Sequence, residues 1–220
     1  MIIMLICISC QKKGCTDPTA INYSTEAQKD NNSCEYLDFD KFNLLKNLSD
    51  NYITPSLSAY NDKINTLNND ILSFTSNPSI NGLSIVRNSW EEAILNWQDI
   101  AFLDFGPSEY ILLRSQTNTF PIDTNELKNS IISGTWNFQN STFNDSKGLQ
   151  AIDYLLFKPG YTDTDLITYF QSDSNATNYL KSISEDLLIN INYVAEQWDL
   201  QKGDFINDFE TVWSFTSLES

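Results

Sequence analysis

The chain has 220 residues and carries 13 Lys+Arg against 29 Asp+Glu, a formal net charge of -16. No basic cluster longer than Lys12-Lys13 offsets that charge, which excludes electrostatic capture of nucleic-acid phosphates or of an anionic membrane surface. Histidine is absent altogether, so a His-based triad and any metal site that needs imidazole are excluded for this chain.

Residues 1–9 are apolar, too short to span a bilayer, and end in Ile8-Ser9-Cys10. A small residue followed by cysteine after an apolar run resembles the end of a bacterial lipoprotein signal peptide, with Cys10 as the lipidated residue. No Lys or Arg precedes the run, so a short apolar N-terminus without an export role stays open beside it. On the export reading the protein is lipid-anchored in the bacterial cell envelope, facing periplasm or cell surface, and touches the membrane only through its anchor.

Residues 11–37 are rich in turn formers and are bounded by Cys15 and Cys34. An even pair in an exported chain reads as one disulfide, worth about 3 kcal/mol by loop-closure entropy. The stretch resembles a short Cys-bounded module found near the N-termini of secreted bacterial proteins, and serves as a stapled spacer. Asp17 and Asp30 are calcium candidates, but their spacing is not that of an EF-hand.

From residue 38 to 220 the apolar residues recur at helical spacing. Leu57, Tyr60, Ile64, Leu67, Ile71 and Phe74 mark one helix within 49–74, with Pro55 in its first turn and Thr54 as its cap. After the Asn77-Pro78 stop, Val86, Trp90, Ile94, Trp97 and Ala101 mark a second. A third carries Leu180, Ile183, Leu187, Ile191, Val194 and Trp198. Shorter helices are expected over 123–133, opened by Asp123, and over 147–157, while Gly134, Pro159, Gly160 and Gly203 sit where helices should end. Tyr110-Ile111-Leu112-Leu113 suits a strand or a helical turn equally. The fold class expected is all-α, a helical bundle. No glycine-rich phosphate loop and no Gly-x-Ser-x-Gly elbow occurs.

Three segments carry a resemblance. Trp90-Glu91-Glu92-Ala93-Ile94-Leu95-Asn96-Trp97 leads to Phe105-Gly106-Pro107; Thr119-Phe120-Pro121-Ile122-Asp123 follows; then comes Gly148-Leu149-Gln150-Ala151-Ile152-Asp153-Tyr154-Leu155-Leu156-Phe157. In this order they resemble the imelysin family, the last matching its Gly-x-His-x-x-Glu signature with Gln150 and Asp153 in the ligand positions. The resemblance implies an all-helical protein of two bundle-like halves with its site between them, a metallopeptidase activity for the founding member, and roles in iron or haem uptake. It also implies a longer chain, so that 214–220 reads as the lead-in to a further helix, and a natural short form and a truncation fit equally.

Gln150 and Asp153 lie three apart and share a helix face. An amide oxygen and a short carboxylate make a poor zinc site, but oxygen donors suit calcium or another hard cation if Asp99 and Asp104 join them. The bland alternative is a hydrogen-bonded polar pair between helices. Phe105, Gly106, Pro107 and Gly148 are motif residues, either helix punctuation or cleft wall. The reading that follows is a non-catalytic component binding iron, haem or an envelope receptor; an imelysin-type metallopeptidase and a helical docking scaffold are the alternatives.

Overall fold

The structure, a computed structural model, describes residues 11–37 and 40–212, with side chains up to residue 207. Cys10 and the apolar run before it lie outside the described residues, as does 214–220. The chain forms two compact units, one up to Asn43 and one from Leu44 onward.

In the first unit, β1 (Lys13–Gly14) and β2 (Lys29–Asp30) pair in parallel, Lys13 opposite Lys29 and Gly14 opposite Asp30. Cys15 and Cys34 are joined as a disulfide. Asp17 spends its carboxylate on the turn that follows it. It accepts the Thr19 N–H at 2.9 Å, the Thr19 hydroxyl at 2.8 Å and the Tyr36 phenol at 2.8 Å. These bonds, the Thr19 backbone bond foremost, hold its pKa below the ordinary carboxylate value.

The second unit is all-α among its described residues. α1 (Lys41–Leu48) runs through a π-helical turn, Ser49–Ile53, into α2 (Thr54–Ser76). Ile53 is itself helical, so Thr54 does not cap a helix start as the sequence suggested. Its hydroxyl instead accepts the Trp198 indole N–H at 2.9 Å. The widened turn explains how Pro55 sits inside a continuing helix: proline lacks an N–H and crowds the carbonyl four residues back, and a π turn loosens the ladder there.

α2 ends at Asn77, and the Ser79 hydroxyl caps α3 (Ile80–Trp97) by accepting the Gly82 N–H. Two short helices follow, α4 (Pro107–Tyr110) and α5 (Leu113–Thr117), so the apolar run at 110–113 is helical and turn-like rather than a strand. Asp123 caps α6 (Thr124–Ser133), and left-handed Gly134 ends it, both as expected from sequence. A 3-10 turn, Ser141–Ser146, leads into α7 (Gly148–Leu156). α8 (Asp163–Ser172) opens on a capping box between Thr162 and Asp165. α9 (Ser174–Val212) runs straight through Gly203, which was expected to end a helix. The buried face continues past it at Phe205, and that packing outweighs the roughly 1 kcal/mol a glycine costs in a helix.

α2 packs along both α3 and α9, and α7 and α8 close against α3 and α9. Leu67, Ile71, Leu83, Val86, Leu180, Ile183 and Ile191 are fully buried between them. Each such side chain contributes about 1.5–3 kcal/mol relative to exposure. Ring contacts tie the layers, Tyr60 to Trp97 at 5.5 Å and Phe74 to Phe170 at 5.3 Å.

Candidate functional site

α7 holds the Gly-x-Gln-x-x-Asp segment, and its seat is set at its first residue. Gly148 has φ +83°, and a Cβ there would lie 2.9 Å from the Thr117 carbonyl carbon and closer still to its oxygen. Only glycine tolerates both that dihedral and that approach of the α5 backbone. One residue earlier, Lys147 is fully buried. Its ammonium donates to Asp186 Oδ2 at 2.9 Å, the Phe138 carbonyl at 2.8 Å and Gln116 Oε1 at 3.0 Å. Asn190 adds a bond to Asp186 Oδ2 at 3.2 Å. Burial raises the Asp186 pKa, while Lys147 first and Asn190 after it work against that rise. From α3, the Trp90 indole donates to the Leu149 carbonyl at 2.8 Å and Arg87 to the Leu156 carbonyl at 2.8 Å. Trp90 is thus a packing and anchoring residue at α7, and Trp97 a core residue.

Gln150 is half-buried and its Nε2 donates to Asn118 Oδ1 at 2.8 Å. Asn118 in turn lines a cleft of about 440 Å³ with Asp104, Leu112, Arg114, Ser115, Thr119 and Phe120. Asp104 therefore shares a cleft with the partner of Gln150. Asp99 does not line it; it is exposed, and its backbone carbonyl accepts the Tyr52 phenol at 2.9 Å. Asp153 is half-buried, also outside the cleft lining, and its carboxylate has no hydrogen bond among the described residues. Phe105 stacks on Phe205 at 5.8 Å and meets Trp198 at 6.4 Å, so Phe105-Gly106-Pro107 packs beneath α9. Gly106, at φ +54°, turns the chain into α4, whose first residue is Pro107.

The donor set bears on the metal that the signature implies. Among the described residues no group of three or more His, Cys, Asp or Glu side chains is placed to hold an ion. The Gln150 amide is bonded to another amide. This arrangement does not match the three firm protein ligands and open position of a catalytic zinc site.

Burial raises the Asp153 pKa above its ordinary 3.8. The folded chain then holds that proton more tightly than the unfolded one, so this group's contribution declines as the pH rises from the ordinary carboxylate value through the raised one. Asp153→Asn is expected to remove the decline and to gain stability over the parent at pH 7 but not at pH 3.5. Urea midpoints at the two pH values check it, and an equal effect at both contradicts it.

The family profile of imelysin, peptidase M75, matches residues 53–219. No curated protein matches the chain. Among solved structures, a candidate iron-regulated protein A precursor from Parabacteroides distasonis ATCC 8503 superposes with TM-score 0.62 at 18% identity, over 72% of this chain and 45% of that one. An imelysin-like protein from Psychrobacter arcticum 273-4 superposes with TM-score 0.59 at 12% identity, over 74% of this chain and 51% of that one. The chain thus spans about half the length of these structures, and at such identities the likeness concerns the fold.

Proposed function

The chain belongs to the imelysin family, and from that premise we propose that it is an exported, lipid-anchored member that binds a ligand in iron or haem acquisition without hydrolysing peptides. The observation that carries the non-catalytic reading is the Gln150–Asn118 amide pair, which stands at the signature's imidazole position in a chain without histidine. The link to iron is supported by family membership and by the iron-regulated precursor whose fold it shares. Export is supported by the Ile8-Ser9-Cys10 segment and by the disulfide between Cys15 and Cys34, a bond that persists in oxidising compartments. A haem or iron ligand, or an envelope receptor, is the partner on this reading.

The cleft beside Gln150 is the place for the ligand. Arg114 has no ion-pair partner among the described residues, and Phe120 is 82% exposed at the rim, so a cation and an aromatic face are both on offer. The test is titration of the full chain with haemin and, separately, ferric citrate, followed by absorbance. Saturable binding weakened at least fivefold by Arg114→Gln or Phe120→Ser is expected. No saturation with either probe, or binding unaffected by both substitutions, overturns the proposal.

A further inference from the structure

A second pocket opens where α6, α7 and α8 meet. Its volume is about 230 Å³; Leu127, Ile131 and Leu155 form an apolar floor, and Tyr154 and Tyr169 stand at its sides. Lys128 and Lys158 line it as well. None of its lining residues belongs to the cleft beside Gln150.

The lysines are the unusual feature. The chain has more than twice as many acids as bases, 29 against 13, and in its helical unit Lys46, Lys63, Arg87, Lys147 and Lys202 each meet a carboxylate. Arg114 and Lys181 make no ion pair among the described residues, and neither do Lys128 and Lys158. The last two lie instead over aromatic rings. The Lys158 ammonium is 3.6 Å from the Tyr169 ring centroid and 4.4 Å from that of Tyr161, and the Lys128 ammonium is 5.9 Å from that of Tyr154. The acid at the pocket, Asp173, turns Oδ1 to the N–H groups of Asn175 and Ala176, both at 3.0 Å, and so caps the start of α9. Two ammonium groups therefore line a largely apolar pocket against the single carboxylate of Asp173, which leaves the lining with an excess positive charge.

We propose that this pocket binds a small aromatic carboxylate, its ring on the apolar floor between Tyr154 and Tyr169 and its carboxylate at Lys128 and Lys158. Inorganic anions fit poorly because the floor offers them no polar contact, and a neutral ring leaves the excess positive charge of the lining uncompensated. Burial, with Asp173, Tyr161 and Tyr154 after it, pushes the Tyr169 pKa up to about 12, so its phenol stays protonated at neutral pH as a donor to an anion. Its hydroxyl makes no hydrogen bond among the described residues. This site is independent of the proposed function, and its failure leaves that reading standing.

The probe is 2-naphthoate, titrated into the full chain by calorimetry at neutral pH, with 2-naphthamide as the uncharged analogue. Saturable binding of the acid is expected, with the amide at least tenfold weaker. Lys128→Gln combined with Lys158→Gln is expected to lower affinity for the acid at least tenfold, and Lys181→Gln, which lies outside the pocket, to leave it unchanged. Absence of saturable binding, equal binding of acid and amide, or an unchanged affinity in the double variant overturns the proposal.

Discussion

Gly148→Ala is expected to destabilise the protein by about 3 kcal/mol, the sum of a left-handed dihedral imposed on an L-residue, roughly 1–2 kcal/mol, and of a shift forced by crowding, roughly 1–3 kcal/mol. The methyl group would press on the Thr117 carbonyl, which is backbone and has no rotamer to yield. Relief requires α5 to move, and Asn118 at the end of α5 is the partner of Gln150. Gly203→Ala is the matched control. Gly203 lies exposed within α9 with nothing near a new Cβ, so the same change there is expected to stabilise by about 0.8 kcal/mol through helix propensity. Urea denaturation of both variants reads the two signs; a small effect at Gly148 would contradict the close approach of α5 to α7.

Lys147→Met is expected to cost about 3–5 kcal/mol, because it strands the Asp186 carboxylate in the interior. The penalty comes from the orphaned charge more than from the lost pair. Lys147→Met combined with Asp186→Leu is therefore expected to recover most of the loss, since apolar replacement of a buried ion pair is often near neutral. The pH dependence follows from the same carboxyl. Already raised by burial in the parent, Asp186 rises further without Lys147, so the single variant's deficit is full at neutral pH and shrinks as acid protonates the group. Denaturation midpoints of parent, single and double variants from pH 4 to 8 test the pattern, and a double variant no better than the single one contradicts it.

The helices of the bundle were legible because burial imprints a local period. Leu57 through Phe74, and Leu180 through Trp198, are buried as their spacing implied. Asp123 and Gly134 were legible for a similar reason, as a cap is a contact within one turn. Thr54 and Gly203 misled because both are local signals overridden by contacts at a distance, the Trp198 indole in one case and the buried face carrying Phe205 in the other. α8 was missed although Thr162 and Asp165 hold the spacing of a capping box. Lys147 was missed for a different reason: a lysine next to a motif reads as solvated, and its side-chain partners lie 31 and 39 residues away. The Gln150–Asn118 pair spans 32 residues, and the polar-pair alternative named Gln150 and Asp153 without Asn118, whereas the Asp153 carboxylate makes no hydrogen bond among the described residues. Asp99 and Asp104, five residues apart, part company because the chain turns between them, leaving one by Tyr52 and the other in the cleft.

The most direct test of binding without hydrolysis is a peptide-cleavage assay on the full chain loaded with zinc or with ferrous iron, read by mass spectrometry beside Asp153→Ala and Gln150→His. The expected result is no metal-dependent cleavage by the parent chain and no difference between it and Asp153→Ala. Metal-dependent cleavage that Asp153→Ala abolishes would show that the signature helix of this chain still works as a metallopeptidase, and would contradict the reading.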